Sequence, residues 1–478
     1  MKKTKSVLLI NPPQYVYSGG HGFNVYHPVA LCYLAAAIKG ICDVEIFDAL
    51  LEQTKPIGNV KGFKIWAGAT PDEISRKVSS REFSLVGISA QFSSQLDVAL
   101  YTARIIRESL QKTTIVIGGA AATVHAGEIL TKEPVVDIVV LGEGELPLKC
   151  LVNGNIDRKR LYDIPNIVFR NDDGVQVFTS VKAPLRDLDS LGSLPYELLD
   201  MSRYLKNPNL YKNRSSLAKR SISIVTSRGC PYKCCFCSIH IHMTRKYRTH
   251  SSSYVIRNIV ELIDQYGIYR YHIEDDNLSL DRKRYKDIMQ GMIELNTNIE
   301  WDTPNSMMSS SLDERLLDLS KMAGCRSLYI SIESGSPRVI KEIIKKPINL
   351  KKVDRLVRQA QTIDIPLSAY YVIGFPGETI DEINSTINLA LEYYSKYNVT
   401  PYMLMATPLP GTKLEHIATQ QGMMPDNLKP SDYATGTQLM GRRILRYGDK
   451  YEKLLDLCVH KYLRSRKDIQ AFKSINNC

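Results

Sequence analysis

The sequence predicts an α/β protein in which a doubly wound parallel-sheet domain precedes a partial (β/α)6 barrel and a mostly helical C-terminal segment. Over the first 150 residues, short β-branched apolar runs alternate with helical patterns, which is typical of a parallel sheet. The alternation stops between 151 and 220, and a second strand–helix series follows from 221 to 415. From 416 to 478, aromatic and basic residues recur at roughly helical spacing.

The first domain, residues 1–150, is predicted to be Rossmann-like, with continuous apolar strands buried under helices on both faces. Its candidate strands are Ser6–Ile10, Asp43–Phe47, Leu85–Ala90, Thr113–Ile117 and Asp137–Leu141, and its helices are predicted at 28–39, 71–78, 95–110 and 125–131. Ligands of such sheets bind beyond the carboxyl ends of the strands. The candidate ligand-binding residues at those ends are Asn11, Pro12, Pro13, Ser89, Gln91, Phe92, Gly118, Gly119, Gly142, Glu143 and Gly144.

Residues 151–220 are predicted to be a connector that contains a hairpin, Asn166–Phe169 and Val175–Phe178, around an Asp-Asp-Gly turn. The barrel follows over residues 221–415. Its strands are predicted at 221–226, 269–274, 299–302, 327–333, 366–373 and 400–406, and its helices at 252–266, 281–295, 312–322, 337–344, 350–362 and 379–395. The chemistry of such a barrel lies at the carboxyl ends of its strands.

Length and hydropathy exclude several classes of protein. The chain has 478 residues, of which 44% are hydrophobic, so it can bury more than one core. Its longest apolar run, Val29–Ile38, has ten residues, whereas a membrane span needs about 20. The apolar stretch after the basic start, Val7–Ile10, is too short for a signal peptide. We therefore expect a cytoplasmic protein without a membrane span.

The net charge of +12 is partly concentrated near the end of the chain. Between Arg442 and Lys473 there are ten Lys and Arg residues against four acids. No recognised nucleic-acid motif accompanies this basic segment, so we interpret it as a solvated helix and do not expect nucleic acid as a partner. The tyrosines of the same region are predicted to pack as core or lid: Tyr433, Tyr447, Tyr451 and Tyr462.

The chemically most specific feature is a group of cysteines directly after the first barrel strand. Ten cysteines are too sparse for a disulfide scaffold, but four of them fall within residues 230–237. Cys230, Cys234 and Cys237 can wrap one short loop around a soft metal centre, and three sulfur ligands leave one iron of a [4Fe-4S] cluster open. Structural zinc is the alternative, because His240 or His242 could complete a three-cysteine, one-histidine site. Cys235 is either a spare thiol or a competing ligand.

This segment, Cys230-x3-Cys234-x-Phe236-Cys237, resembles the signature of the radical SAM (S-adenosylmethionine) superfamily. The resemblance implies that the three cysteines hold a [4Fe-4S] cluster whose fourth iron binds the amino and carboxylate groups of SAM. The aromatic residue before the last cysteine lies near the adenine in this family, which assigns that role to Phe236.

Three later strand ends also resemble SAM-binding segments of that family. The second strand ends in the acids 274–276, where the family binds the SAM ammonium group, although the usual sequence of the family at this position is Gly-Gly-Glu. Glu333, at the end of the fourth strand, is implied to accept the ribose hydroxyls, and the segment 372–378 resembles the backbone that contacts adenine. The residues implied to bind SAM are Phe236, Glu274, Asp275, Asp276, Ser331, Glu333, Ile373 and Gly374.

The first domain resembles the cobalamin-binding domain of cobalamin-dependent (class B) radical SAM enzymes. The segments that carry this resemblance are 11–13, 27–37, 44–49, 118–119 and 142–145. The resemblance implies that the strand-end residues named above contact cobalamin. Many corrinoid proteins supply the lower cobalt ligand from an Asp-x-His-x-x-Gly loop, but this sequence contains no Asp-x-His. His21, His27 and His125 are the remaining candidates, although hydrogen bonding or capping is the simpler role for each.

The resemblance covers about residues 5–415 and implies a methyltransferase that uses a [4Fe-4S] cluster, SAM and cobalamin. The implied reaction methylates an unactivated carbon of a small-molecule metabolite, with hydrogen removal by the SAM-derived radical and methyl delivery from methylcobalamin. An electron donor such as flavodoxin or ferredoxin is implied as a partner. Because the implied route requires no protein acid or base, no catalytic side chain is assigned.

Three alternatives stay open. The first is another reaction on the same cofactors, either a cyclisation like that of a porphyrin ester or a rearrangement. The second is tRNA methylthiotransfer, which needs three more cysteines in the first domain, and Cys32, Cys42 and Cys150 match no such loop motif. The third is a metal-binding module without turnover, which would not cleave SAM.

Overall fold

The computed structural model describes residues 5–17, 25–52, 57–60, 64–154, 158–207, 210, 220–434, 436–441 and 443–476. The chain divides into two compact units. The first contains residues 1–223, 239–250 and 429–434, and the second contains 224–238, 251–428 and 435–478. None of the described helices has both the length and the apolar character needed to cross a membrane.

The described residues up to 178 form two sheets. Their strands are β1 (Ser6–Asn11), β2 (Gln14–Tyr17), β3 (Asp43–Asp48), β4 (Ile57–Val60), β5 (Lys64–Ala67), β6 (Leu85–Ser89), β7 (Thr114–Gly118), β8 (Ile138–Val140), β9 (Ile167–Arg170) and β10 (Gln176–Phe178). The larger sheet has the order β10-β9-β8-β7-β6-β1-β3. The pairs from β3 through β1, β6 and β7 to β8 are parallel, whereas β9 and β10 are antiparallel to their neighbours.

This sheet confirms the predicted doubly wound fold, since apolar cores cover both of its faces. Along β1, Leu8 and Ile10 belong to one core, and Val7 and Leu9 belong to the other. The hairpin β9–β10 forms as predicted, but it pairs with β8 and extends the first sheet. The region 151–220, interpreted above as a connector, therefore supplies two strands to the first domain.

The helices of this part of the chain pack on the larger sheet or follow it. They are α1 (Val29–Ile38), α2 (Pro71–Val78), α3 (Leu96–Ser109), α4 (Ala120–Val124), α5 (Ala126–Lys132), α6 (Glu145–Asn153) and α7 (Met201–Lys206). Helix α2 begins where predicted because Thr70 and Glu73 form a capping box around Pro71. The small antiparallel sheet β2-β5-β4 was not predicted from the sequence.

The second series of strands and helices begins at Ser221. Its strands are β11 (Ser221–Ile224), β12 (Ser227–Arg228), β13 (Arg248–Thr249), β14 (Arg270–Ile273), β15 (Glu300–Met308), β16 (Cys325–Glu333), β17 (Leu367–Ile373) and β18 (Thr400–Met405). Its helices are α8 (Ile239–His242), α9 (Ser252–Tyr266), α10 (Arg282–Glu294), α11 (Glu314–Met322), α12 (Leu350–Thr362), α13 (Ile380–Tyr397), α14 (Lys413–Gln420) and α15 (Asp449–Asn476), with a π-helix at Val339–Ile344.

Six of these strands form one sheet in the order β11-β14-β15-β16-β17-β18. The strands from β14 to β18 pair in parallel, and helices follow them along the chain. This sequential order confirms the predicted partial barrel. Its carboxyl ends gather the loops that follow β11, β14, β16 and β17, which are the segments singled out in the sequence.

Strand β15 is longer than predicted, because it continues past Asp302 to Met308. Its interior contains Pro304, which lacks the N–H that a regular ladder requires. The pairing with β16 shifts register between Thr303 and Met307, and Ser306 has a φ of 73°. An irregularity of this kind accommodates proline inside a strand.

The C-terminal segment is mostly helical, as predicted, with α15 covering most of the basic region. The hydroxyls of three predicted packing tyrosines donate to backbone carbonyls of the barrel sheet or its loops. Tyr447 donates to Gly374, Tyr451 to Glu378 and Tyr462 to Pro401. The segment therefore packs against the second sheet through polar as well as apolar contacts.

Candidate active site

The thiol loop, residues 229–237, follows β11 and the short strand β12 in the second unit. Cys230, Cys234 and Cys237 are partly exposed, and the N–H of Cys237 donates to the carbonyl of Cys234 at 3.2 Å. Burial raises the pKa of Cys234 to about 12, opposed by the nearby Lys346 cation. Iron binding therefore has to displace a proton from this thiol.

Cys235, in contrast, belongs to the apolar core of the second unit. It is 2% exposed and packs in a cluster with Ile344, Phe375 and Leu414. Its N–H donates to the carbonyl of Ile344, and its carbonyl accepts from the N–H of Leu414. The thiols of Cys230, Cys234 and Cys237 are thus partly exposed, whereas Cys235 fixes the loop to the apolar core.

No group of three or more His, Cys, Asp or Glu side chains in the described part of the chain is close enough to hold a single metal ion. In a [4Fe-4S] cluster each cysteine binds a different iron, so its thiolates are spaced more widely than ligands around one ion. The three partly exposed thiols on one loop, beside the largely buried Lys346 cation, suit an iron–sulfur cluster in residue type and charge.

Two of the predicted SAM-binding acids support the thiol loop. Asp275 is 3% exposed and accepts hydrogen bonds from the N–H of Thr226 at 2.5 Å and from the hydroxyls of Thr226 and Ser227 at 2.6 Å. Asp276 accepts from the N–H of Gly229 at 3.0 Å. Asp275 is therefore engaged in holding the chain that leads to the cysteines, while Glu274 and Asp276 are partly exposed.

The end of β16 carries a buried charge pair. Lys346 Nζ donates to Glu333 Oε1 at 2.6 Å and to Ser331 Oγ at 2.8 Å. Burial alone would lower the pKa of Lys346, but Glu333 and the thiols of Cys234 and Cys237 outweigh that effect and raise it. Glu333 also has a φ of 65°, a conformation that is uncommon outside glycine. This arrangement places one fixed cation beside the thiol loop.

The loop after β17, residues 374–378, is held by its own glutamate. Glu378 Oε2 accepts from the N–H groups of Gly374 at 2.7 Å and Phe375 at 3.0 Å. Ile373 and Gly374 are buried, and Gly374 has a φ of 83°. The ring of Phe375 lies 5.9 Å from that of Phe236, so this loop contacts the residue that precedes Cys237.

In the first unit, the sheet brings the other predicted binding residues to one edge. Adjacent parallel strands β1, β6, β7 and β8 end next to the segments 11–13, 89–92, 118–119 and 142–144. Asn11 donates to Asp48 at 2.8 Å, and Pro12 and Pro13 are buried. Gln91 and Phe92 are exposed, with 63% of Phe92 accessible. The edge thus combines an exposed aromatic side chain with glycine-lined backbone.

Gly119 shows that backbone approach at this edge is close. It has a φ of 114°, and a Cβ there would lie 2.5 Å from the carbonyl oxygen of Ala90. The N–H of Ala90 donates to Gly118, and the N–H of Ala121 donates to Ala90. Only glycine fits this junction between the ends of β6 and β7.

Glu143 is engaged within the first unit. Its carboxylate forms a buried ion pair with Arg248, which also donates to the carbonyl of Leu185 at 2.8 Å. The next residue but one, His250, contacts Asp189 at 2.9 Å and the hydroxyl of Tyr33 at 3.0 Å. These contacts fix the segment 239–250, which follows the thiol loop in sequence, to the loop that contains Gly142 and Gly144.

The candidate cobalt-ligand histidines also have protein contacts. His27 lies against Tyr204, with ring centroids 4.3 Å apart, and His125 contacts Glu128 at 3.2 Å and Ser93 at 3.5 Å. The contacts of His125 are those of a hydrogen-bonding residue, whereas the contact of His27 is with an aromatic ring. His21 lies outside the described residues.

Comparison with family models assigns both domains. Residues 20–152 match the B12 binding domain, and residues 224–390 match the Radical SAM superfamily. The chain belongs to the cobalamin-binding radical SAM enzymes. The family entails a [4Fe-4S] cluster and SAM for the second domain and cobalamin for the first.

Individual relatives of this cobalamin-binding radical SAM enzyme include methyltransferases and a cyclase. It is 28% identical to an uncharacterized methyltransferase, PH0819, of Pyrococcus horikoshii, over 89% of this chain and 85% of the relative. It is 27% identical to cytidylyl-2-hydroxyethylphosphonate methyltransferase of Streptomyces wedmorensis, over 88% of this chain and 83% of the relative. It is 24% identical to anaerobic magnesium-protoporphyrin IX monomethyl ester cyclase of Rubrivivax gelatinosus, over 81% of this chain and 66% of the relative.

A solved structure shares the fold of the enzyme. The radical S-adenosylmethionine methyltransferase TsrM from Kitasatospora setae superposes with a TM-score of 0.70 at 18% identity, covering 96% of this chain and 89% of that one. That structure contains cobalamin and a [4Fe-4S] cluster. The similarity extends over both domains and supports the order predicted from the sequence.

Sequence reasoning missed Lys346 and Arg248, the two cations that pair with predicted site acids. Lys346 follows Glu333 by 13 residues, and the π-helix at Val339–Ile344 lies between them in the chain. Arg248 is 105 residues from Glu143. Neither residue belongs to a motif, so buried acids at strand ends were the available signal that cations had to lie nearby.

Proposed function

We propose that this enzyme methylates an unactivated carbon of a small-molecule metabolite. The observation that carries the proposal is the thiol loop itself, in which three partly exposed cysteines follow β11 while Cys235 is packed in the core. A B12 binding domain in the same chain supports methyl transfer as the use of that loop. The named methyltransferase relatives support the same reaction class.

Within the second unit, we propose that Cys230, Cys234 and Cys237 ligate the cluster. The Lys346 ammonium, fixed by Ser331 and Glu333, then offsets part of the negative charge of the cluster and attracts the SAM carboxylate. When bound, the cluster and SAM supply hydrogen abstraction, and cobalamin supplies the methyl group.

The remaining SAM contacts are proposed on the surrounding strand ends. Glu274 and Asp276 offer carboxylates for the ammonium group, and Asp275 positions the loop rather than the ligand. The backbone of Ile373 and Gly374 and the ring of Phe236 form an adenine site that excludes water. Glu333 retains the proposed ribose contact, with Lys346 holding its carboxylate in place.

In the first unit, we propose that cobalamin binds along the carboxyl edge of the sheet. Glycines 118, 119, 142 and 144 allow the backbone to approach the corrin, and exposed Phe92 provides an apolar contact. Glu143 orders one of these loops through Arg248. His27 and His125 are already engaged by protein groups, so we propose that neither ligates cobalt.

We further propose flavodoxin or ferredoxin as the electron donor and the cytoplasm as the place of action. The support is chemical, since the cluster needs a low-potential one-electron donor. In addition, the sequence has no apolar run long enough to be a candidate membrane span.

Anaerobic reconstitution with iron, sulfide and hydroxocobalamin tests the proposal. After addition of a low-potential one-electron reductant and SAM, the expected result is retained corrinoid, a [4Fe-4S]+ electron paramagnetic resonance signal that SAM perturbs, and formation of both 5′-deoxyadenosine and S-adenosylhomocysteine. Tightly bound zinc without a cluster would refute the proposed use of the thiol loop.

Cyclisation is the second candidate, favoured by the similarity to the magnesium-protoporphyrin ester cyclase. It predicts 5′-deoxyadenosine without stoichiometric S-adenosylhomocysteine and a product of unchanged carbon count. The ratio of the two nucleosides therefore separates the candidates before a complete product structure is available.

A further inference from the structure

Two tyrosines of the C-terminal segment hold the loop after β17 by its backbone. The hydroxyl of Tyr447 donates to the carbonyl of Gly374 at 2.5 Å, and the hydroxyl of Tyr451 donates to the carbonyl of Glu378 at 2.9 Å. The two bonds fasten the first and last residues of the segment 374–378. The tyrosine rings stack on each other at 5.1 Å, so they form one rigid unit at the start of α15.

The same loop is also held by hydrogen bonds to the side chain of its own last residue, Glu378. One carboxylate oxygen accepts the N–H groups of Gly374 and Phe375, whereas Tyr447 donates to the carbonyl of Gly374. Gly374 is consequently bound through both its N–H and its carbonyl. A Cβ on Gly374 would lie 2.9 Å from the Tyr447 hydroxyl, which shows how closely the tyrosine approaches.

This loop is in contact with the cysteine-bearing segment. Phe375 is 1% exposed and lies 5.9 Å, ring centroid to ring centroid, from Phe236. Phe375 belongs to the cluster that contains Cys235, and Phe236 and Tyr447 both pack against that cluster. Contacts therefore run without interruption from the C-terminal segment through the loop to the residue next to Cys237.

A groove borders this contact. It has a volume of about 790 Å³ and is lined by residues 375–380, 421–423 and 446–448 together with Tyr451. Tyr447 and Tyr451 therefore lie beside open space as well as against the loop, and their hydroxyls link the loop directly to the C-terminal segment.

We infer that Tyr447 and Tyr451 are positioning residues for SAM, which keep the loop 374–378 in the conformation that receives the adenosine part. The inference rests on the proposed adenine contact of this loop. It gives the C-terminal segment a function that neither the cysteine motif nor the family models contain, since the radical SAM match ends at residue 390.

The test replaces each tyrosine by phenylalanine, singly and together, in the full chain with its cluster reconstituted. SAM affinity is measured by equilibrium titration in the absence of reductant, and exchange of the backbone amides of residues 371–382 is measured by mass spectrometry without SAM. Tyr462→Phe is the matched control, because Tyr462 lies on the same helix as Tyr451 and donates to the carbonyl of Pro401, outside the loop 374–378. Iron content and thermal unfolding are recorded for every variant.

We expect Tyr447→Phe and Tyr451→Phe each to weaken SAM binding about fivefold, the effect of losing one hydrogen bond of ordinary strength, and to speed amide exchange in the loop. The double variant should show a larger effect, and Tyr462→Phe should match the wild type. Unchanged SAM affinity and exchange in a double variant with full iron content would overturn the inference. If the wild type itself binds no SAM, the proposed function fails, and unchanged loop exchange would then overturn the positioning of the loop separately.

Discussion

Glu378 has an unusual environment for a carboxyl group. It is 3% exposed, one oxygen accepts two backbone N–H groups, and the other oxygen has no hydrogen-bond partner among the described residues. Burial raises its pKa from 4.5 to about 7, against the effect of the two hydrogen bonds. The folded protein therefore retains a proton on Glu378 over a pH range in which the unfolded chain has lost it.

This difference predicts that Glu378 destabilises the fold as the pH rises from about 4.5 to about 7. A shift of this size corresponds to a loss of up to about 3 kcal/mol in the free energy of unfolding. Glu378→Gln keeps an acceptor for the two N–H groups and removes the titration. Urea unfolding at pH 5 and pH 8 should thus show a smaller pH effect in the variant, and parallel profiles would contradict the prediction.

Lys346 and Glu333 form a largely buried ion pair, with side chains 14% and 5% exposed. Removing one member of such a pair leaves an uncompensated charge, which costs about 3–5 kcal/mol, whereas removing both costs much less. We expect Lys346→Met to lower the free energy of unfolding by about 3 kcal/mol and Lys346→Met with Glu333→Gln to recover most of it. Chemical unfolding of the wild type, the two single variants and the double variant measures the coupling free energy between the two charges. Additive effects of the two substitutions on the free energy of unfolding would contradict the predicted coupling.

At the scale of elements, Gly119 joins the end of β7 to α4. An alanine there combines an unfavourable φ of 114° with a Cβ 2.5 Å from the Ala90 carbonyl oxygen. Gly119→Ala should therefore destabilise the first unit by about 2 kcal/mol or more and reduce its retention of cobalamin. Gly118→Ala is the control for stability, because its Cβ would meet Val140 at an ordinary 3.5 Å. Equal free energies of unfolding in the two variants would show that the junction tolerates displacement.

Most elements could be predicted because their signals are local. The capping box of Thr70 and Glu73 fixes the start of α2, and apolar runs such as Val7–Ile10 define buried parallel strands. The partner of a strand is not a local property. The hairpin β9–β10 was therefore recognised, but its pairing with β8 was not, and the end of β15 was misplaced at the irregularity near Pro304.

The candidate site divides in the same way. The spacing of Cys230, Cys234 and Cys237 lies in one short segment and could be read directly. The engagement of Asp275 with Thr226 depends on two adjacent strand ends that are 49 residues apart in the chain. Lys346 and the two C-terminal tyrosines likewise reach their partners only in the folded protein, since each forms a polar contact outside any recurring motif.

For the whole molecule, the residues proposed to hold the two kinds of cofactor belong to separate compact units. The residues proposed to bind cobalamin lie in the first unit, and the thiol loop lies in the second. Each unit has an apolar core of its own. The first unit has one core on each face of its larger sheet, and the second unit has the cluster around Cys235. Cobalamin retention should consequently not depend on the presence of the cluster.

The variant Cys230→Ala, Cys234→Ala and Cys237→Ala tests this independence. We expect it to lose its iron and its SAM-dependent chemistry while retaining about one corrinoid per chain, as measured by metal analysis and the visible absorption spectrum. Cys235→Ala is the matched control from the same loop. Because Cys235 packs in the core, its loss should cost about 1 kcal/mol of stability and leave the iron content unchanged. Joint loss of iron and corrinoid in the triple variant would instead mean that the cluster loop helps to build the cobalamin site.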